Sequence, residues 1–150
     1  LRKAKGKISE LEKSLNASPL VAGGGIAIGH TRWATHGIPS ETNAHPHATD
    51  TVAVVHNGII ENFETLRTEL KDAGYSFKSQ TDSETIPVLL SKLIKDGKSK
   101  LDAVVEVTQK AEGAFALGIM FADDEDTLFA TRRWRAAGRW SGQREAFYRV

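Results

Sequence analysis

Apolar residues recur at two spacings along this chain, and the switches between them divide it into elements. Ile8, Leu11 and Leu15 fall three and four apart, which predicts a short helix over residues 9–15. Pro19 and the glycines at 23–25 end that region. Residues 25–33, GIAIGHTRW, read as a strand running into polar positions. Residues 34–50 hold Gly37, Pro39, Asn43, Pro46 and Asp50, the composition of a structured loop. Residues 51–58, TVAVVHNG, read as a buried strand that stops at the turn dipeptide Asn57-Gly58.

Helical spacing then returns. Phe63, Leu66 and Leu70 share one face of a helix over residues 61–73, with Gly74 as its stop. A short strand is expected at 75–79. Asp82 is placed to cap a further helix, with Thr85 three residues on and an apolar stripe of Ile86, Leu89, Leu90, Leu93 and Ile94. Val104, Val105 and Val107 mark another helix over residues 101–111. The continuous apolar run 114–122 and the segment 127–132 read as a hairpin joined by the acidic turn DDED at 123–126. The pattern predicts a mixed domain of strands, paired helices and an antiparallel hairpin.

Composition narrows the chemistry. The chain of 150 residues is 40% hydrophobic and 26% charged, as expected of one globular domain. No apolar run approaches the roughly 20 residues that span a bilayer. The start, LRKAKGKISELEKS, is basic and then amphipathic, unlike a signal peptide, so a cytoplasmic address and no membrane partner are expected. No cysteine is present, which removes disulfides, thiolate metal sites and a cysteine nucleophile from these residues. The net charge of +1 conceals an asymmetry: Arg132 to Val150 carries six arginines and one glutamate, and the remainder holds 14 basic and 18 acidic residues. A nucleic-acid partner would rest on that tail alone, and none is expected.

Polar residues of unusual type gather in the first half. His30, His36, His45, His47 and His56 are all five histidines of the chain. Metal binding is disfavoured, because no HExxH motif occurs and few carboxylates accompany the histidines. No GxSxG elbow and no phosphate-binding GK[ST] ending is found either. Arg32 can grip a carboxylate with two parallel hydrogen bonds, and Thr35 and His36 add polar groups beside it. The Asn57 amide and the Gly58 N–H can converge on a developing oxyanion. Asp82 can hold an ammonium group. These are parts for binding an α-amino acid with a reactive side-chain carbonyl. Each also has a plain alternative: a surface ion pair for Arg32, a turn for Asn57-Gly58, a helix cap for Asp82.

The strings HTRWATHG (30–37), NAHPH (43–47), VVHNGIIEN (54–62) and TDSE (81–84) together resemble the glutaminase domain of the glutamine–fructose-6-phosphate aminotransferases, or glucosamine-6-phosphate synthases. These are class II glutamine amidotransferases with the N-terminal-nucleophile hydrolase fold. The resemblance runs from about Gly6 to Arg133. It implies an α+β, four-layer αββα sandwich with antiparallel sheets, incomplete here, and no cofactor or metal. It implies L-glutamine bound by Arg32, Thr35, His36 and Asp82, with Asn57 and Gly58 as the oxyanion hole. Trp33 would lie at the exit toward a sugar isomerase domain that handles fructose 6-phosphate, and His45 in a loop folding over glutamine. His30, His47 and His56 would be structural. The family's nucleophile is an N-terminal cysteine, which this chain lacks. The expectation is therefore part of an ammonia-supplying domain, inactive alone, from a parent that is a homodimer; the alternative is a non-catalytic glutamine-binding or scaffold module. Residues 1–133 would form the partial amidotransferase domain. The tail 134–150 departs from the family: WRAAGRW stands where a strand such as GSPLAVG is expected. Codons for WRAAGRW, read one base later, can give GGPLAVG, so a shifted frame accounts for it; the rival is a basic tail for RNA or anionic lipid.

Overall fold

A computed structural model describes residues 1–20, 25–32 and 36–133. The tail 134–150 lies outside the described residues, as do Trp33 and Thr35. The described elements are α1 (Ile8–Ala17), β1 (His47–Ala48), β2 (Val52–Ile60), α2 (Phe63–Asp72), α3 (Thr85–Lys95), α4 (Lys100–Lys110), β3 (Gly113–Phe121) and β4 (Phe129–Arg133). The four strands form one antiparallel sheet in the order β1-β2-β3-β4. Its centre is the nine-residue pairing of β2 with β3, from Val52 opposite Phe121 to Ile60 opposite Gly113.

Alternation along these strands sends Val52, Val54, Phe115, Leu117, Ile119 and Phe121 to one face, where helices bury them. α3 lies against β2, flanked by α2 and α4. Its residues Thr85 to Leu90 are all buried, so it is apolar nearly all round, as a helix between two others must be. Burying a leucine such as Leu90 or Leu93 contributes about 2–3 kcal/mol each. Pro87 is tolerated because it sits in the first turn, where an N–H has no intrahelical acceptor. The opposite face of the sheet carries Ala53, Val55, Gly118 and Met120, half-buried, and Asn57 and Ala116, exposed.

Helix ends follow from local chemistry. At the end of α2, Gly74 at φ +88° gives its N–H to Lys71 while Tyr75 gives its N–H to Leu70, closing the helix as its glycine predicts. Ser99 caps α4 by accepting the Asp102 N–H at 3.1 Å. At the other end of α4 the Arg133 guanidinium donates to the Ala111 carbonyl at 2.5 Å, tying β4 to that helix.

Three expectations are corrected. Residues 75–79 are not a strand. Side chains satisfy this segment's backbone instead: Glu84 accepts the Lys78 and Ser79 N–H groups at 2.8 and 2.7 Å, and Arg67 donates to the Ser79 and Thr81 carbonyls at 3.0 Å. The described part of 25–33 is not a strand either, because among the described residues no strand pairs with it. Asn57-Gly58 is not a turn. It lies inside β2, opposite Ala116 and Phe115, because Ile59 and Ile60 prolong the apolar run. The α+β character with antiparallel pairing stands as expected.

Candidate active site

Three segments meet at the end of β2. The loop before β1 is fastened to the segment before α3 by side-chain bridges. Asn43 accepts the Gln80 N–H at 3.0 Å and donates to the Ile38 carbonyl at 2.9 Å. His47 Nε2 lies 3.1 Å from Thr81 Oγ1, and His45 Nε2 lies 3.2 Å from Ser83 Oγ. The peptide bond between His45 and Pro46 is cis.

The result is a cavity of about 240 Å³ whose walls include Arg32, His36, His45, Asn57, Gly58 and Asp82. Six of the eight residues singled out from sequence thus share one cavity, although they come from segments up to 50 residues apart. The other two, Trp33 and Thr35, lie outside the described residues. His30, His56, Ile59, Thr81 and Ser83 also line the cavity and were given no site role from sequence. Serine and threonine carry no distinctive local signal; they join the site through contacts between distant segments.

Arg32 is held by its own loop. Its guanidinium donates to the Gly37 carbonyl at 2.9 Å, to the His36 carbonyl and to the Ile38 carbonyl at 3.4 Å, which leaves two of its five N–H donors for another partner. Asp82 is 2% exposed and does not act as the side-chain cap expected of it. Its Oδ2 accepts the Ile60 N–H of β2 at 2.9 Å, and its Oδ1 accepts the Ser83 N–H at 2.9 Å. This carboxylate therefore joins the start of α3 to the end of β2, next to Asn57-Gly58. His36 Nδ1 stands 3.7 Å from the same Oδ1.

Burial dominates the histidines. It pushes His45 down to about 3, aided by the positive field of His30, His47, His56 and Arg32, and pushes His47 down to about 4. Burial also lowers His56, partly opposed by Asp82. These rings are neutral at neutral pH. The unfolded chain takes up protons near the usual 6.5, whereas the folded chain resists until well below it. Stability is therefore full above about pH 6.5 and falls as the pH drops toward 4, each ring steepening the loss by up to about 1.4 kcal/mol per pH unit. Urea unfolding at a series of pH values between those limits checks this; a flat profile would contradict the burial of the rings. Among the described residues no group of three or more His, Asp or Glu side chains is arranged to hold a metal ion.

Comparison with known proteins places the geometry in context. A family described as the glutamine amidotransferase domain matches residues 30–135. The glutamine–fructose-6-phosphate aminotransferase (isomerizing) of Mesorhizobium japonicum is 49% identical over 146 residues, 97% of this chain and 24% of that protein. The enzymes of the same name from Agrobacterium fabrum and Clostridium perfringens are each 50% identical, over 87% of this chain and 21% of theirs. The chain thus spans about a quarter or less of the length of these curated relatives. Among solved structures, the glutamine phosphoribosylpyrophosphate amidotransferase from B. subtilis aligns with a TM-score of 0.56 at 23% identity, over 69% of this chain and 22% of that one. That likeness shows the fold. Among the described residues no helix is long and apolar enough to cross a membrane.

Proposed function

The chain belongs to the glutamine amidotransferase domain family, and from that premise we propose that its cavity binds L-glutamine as part of the glutaminase site of a glutamine–fructose-6-phosphate aminotransferase. The observation that supports this reading most is the convergence of Arg32, Asn57, Gly58 and Asp82 on one cavity of amino-acid size. In this reading the Arg32 guanidinium receives the α-carboxylate and Asp82 the α-ammonium. Those two contacts fix one end of the ligand and leave its side-chain amide to reach Asn57 and Gly58. The amide N–H of Asn57 and the backbone N–H of Gly58 would then stabilise the oxygen as charge develops on it. His36 and His45 border the ligand.

Turnover needs a nucleophile that attacks the amide carbon, expels ammonia and is freed by water. In the family that nucleophile is an N-terminal cysteine, and these 150 residues contain no cysteine. Ammonia released in the longer enzyme would pass to fructose 6-phosphate on a sugar isomerase domain, giving glucosamine 6-phosphate. A cytoplasmic homodimer is the setting this reading carries. Residues 1–133 form the amidotransferase part, and the Arg-rich sequence 134–150 is a frame-shifted tail.

Calorimetric titration of the purified chain is expected to show saturable binding of L-glutamine. D-glutamine, whose ammonium points away from Asp82, should bind about tenfold or more weakly. Incubation of the same chain with glutamine should release no glutamate. Absence of binding, or equal affinity for the two enantiomers, would overturn the reading.

A further inference from the structure

Ser83 touches more walls of the cavity than any role assigned above explains. It is 3% exposed and follows Asp82 on the approach to α3. Its Oγ lies 2.7 Å from His56 Nδ1, 3.2 Å from His45 Nε2 and 3.4 Å from Asp82 Oδ1. Those partners belong to three separate segments: the strand that carries Asn57-Gly58, the loop after Arg32, and the turn that carries the acidic residue. We propose that Ser83 is a positioning residue for the glutamine site, its hydroxyl clamping His56 and His45 while its backbone N–H holds Asp82, so that the three walls keep one relative arrangement. The inference rests on reading the cavity as a glutamine site.

Proton counting gives the clamp a direction. A serine hydroxyl has one proton to donate and two lone pairs to accept with. Asp82 Oδ1 only accepts, and it receives the Ser83 backbone N–H at 2.9 Å, which leaves the hydroxyl proton for a ring nitrogen. Each neutral imidazole brings one N–H and one acceptor nitrogen. The shortest contact, to His56 Nδ1, takes the hydroxyl proton. His56 then carries its own proton on Nε2. His45 in turn donates its Nε2–H to the Ser83 oxygen and keeps a lone pair on Nδ1. Both outer nitrogens, His56 Nε2 and His45 Nδ1, are buried without a hydrogen-bond partner. The clamp thus sets which polar group each ring has to spare: a donor on His56 and an acceptor on His45. It also holds the ring immediately before Asn57, and hence the strand position from which the Asn57 amide is presented.

A purely space-filling serine would be replaced by alanine at little cost to ligand binding, since the backbone N–H to Asp82 survives. The test follows the rings directly. Chain labelled with ¹⁵N-histidine is examined by NMR correlation of ring nitrogens at neutral pH, for the wild type, Ser83→Ala and Ser83→Thr, and each is titrated with L-glutamine. The wild type should show His56 as a single Nε2–H tautomer. Ser83→Ala should show mixed tautomers and a glutamine Kd raised about tenfold, the loss of one well-placed hydrogen bond. Ser83→Thr keeps the hydroxyl and should restore both. If Ser83→Ala does not fold, Ser83→Cys replaces it: similar in shape, a poor hydrogen-bonding group, and expected to raise the Kd in the same direction. Wild-type binding that the alanine or cysteine variant leaves unchanged would overturn the positioning role alone, whatever the tautomers do. A wild-type His56 protonated on Nδ1 would overturn it as well. Failure of the wild type to bind L-glutamine would overturn the reading of the cavity and this inference with it.

Discussion

Gly58→Ala is expected to remove a large part of the chain's folding stability. Gly58 sits within β2 opposite Phe115 at φ +123°, a backbone conformation that side chains rarely adopt. A Cβ added there would lie 2.2 Å from the Ala114 carbonyl oxygen and 2.7 Å from the Phe115 Cα. Both obstacles are backbone atoms of the paired strand, so no rotamer change relieves them. Either β2 parts from β3 in the middle of the sheet, or Gly58 abandons its conformation. The strained φ and the lost pairing together cost about 4 kcal/mol or more, against a total stability of about 5–15 kcal/mol for a domain of this kind. Urea unfolding followed by circular dichroism measures it. Gly118→Ala serves as the comparison, because its Cβ would meet only the Val55 Cγ2 atom, at 3.0 Å, at the end of a side chain that can turn. That substitution should cost about 1 kcal/mol or less. Equal midpoints for the two variants would mean that the close approach of the strands at Gly58 is wrong. The same bare backbone that lets the strands approach also leaves the Gly58 N–H unshielded by a side chain, which is what a donor to an oxyanion requires.

Much of this architecture is legible in the residues, and the exceptions share a cause. The helices are announced by spacing: the expected helix at residues 61–73 is observed as Phe63–Asp72, and that at 101–111 as Lys100–Lys110. Gly74 marks the stop of α2 through a local rule. The apolar run 114–122 becomes β3, Gly113–Phe121, whose Phe115, Leu117, Ile119 and Phe121 alternate onto the covered face. Local rules failed where a side chain serves a distant backbone group. The Asn-Gly pair signals a turn because glycine tolerates a positive φ; Gly58 does have one, but uses it inside a ladder with a strand more than 50 residues away. The segment 75–79 looks like a strand by residue type, yet its polar backbone is satisfied by Glu84 and Arg67. Asp82 looks like a helix cap, and its carboxylate instead accepts an N–H from β2. The candidate site was legible through four short strings in order, which named Arg32, His36, His45, Asn57, Gly58 and Asp82. Ser83 and His56 were not, since serine has no signature and the histidine reads as a buried strand residue until its partners are seen.

Asp82→Asn should damage the site and the fold together, and the two losses can be separated. Both carboxylate oxygens of Asp82 accept buried backbone N–H groups, from Ile60 and from Ser83. An asparagine has one accepting oxygen, so one of those N–H groups would face the NH₂ donors of the new amide. A buried donor without an acceptor costs about 1–3 kcal/mol, and the midpoint of urea unfolding should fall accordingly. The substitution also removes the negative charge proposed to meet the ligand's ammonium. Truncating one side of a buried charged pair costs about 2–5 kcal/mol, so the affinity for L-glutamine should drop by about 30-fold or more. The analogue 4-carbamoylbutanoate, which is glutamine without its amino group, tells the causes apart. It keeps the carboxylate for Arg32 and the amide for Asn57 and Gly58 but has nothing for Asp82 to hold. Wild type and Asp82→Asn should therefore bind this analogue within about threefold of each other. A matching loss for both ligands would mean that the carboxylate shapes the cavity without contacting the ammonium, and an unchanged affinity for glutamine would remove Asp82 from the site altogether.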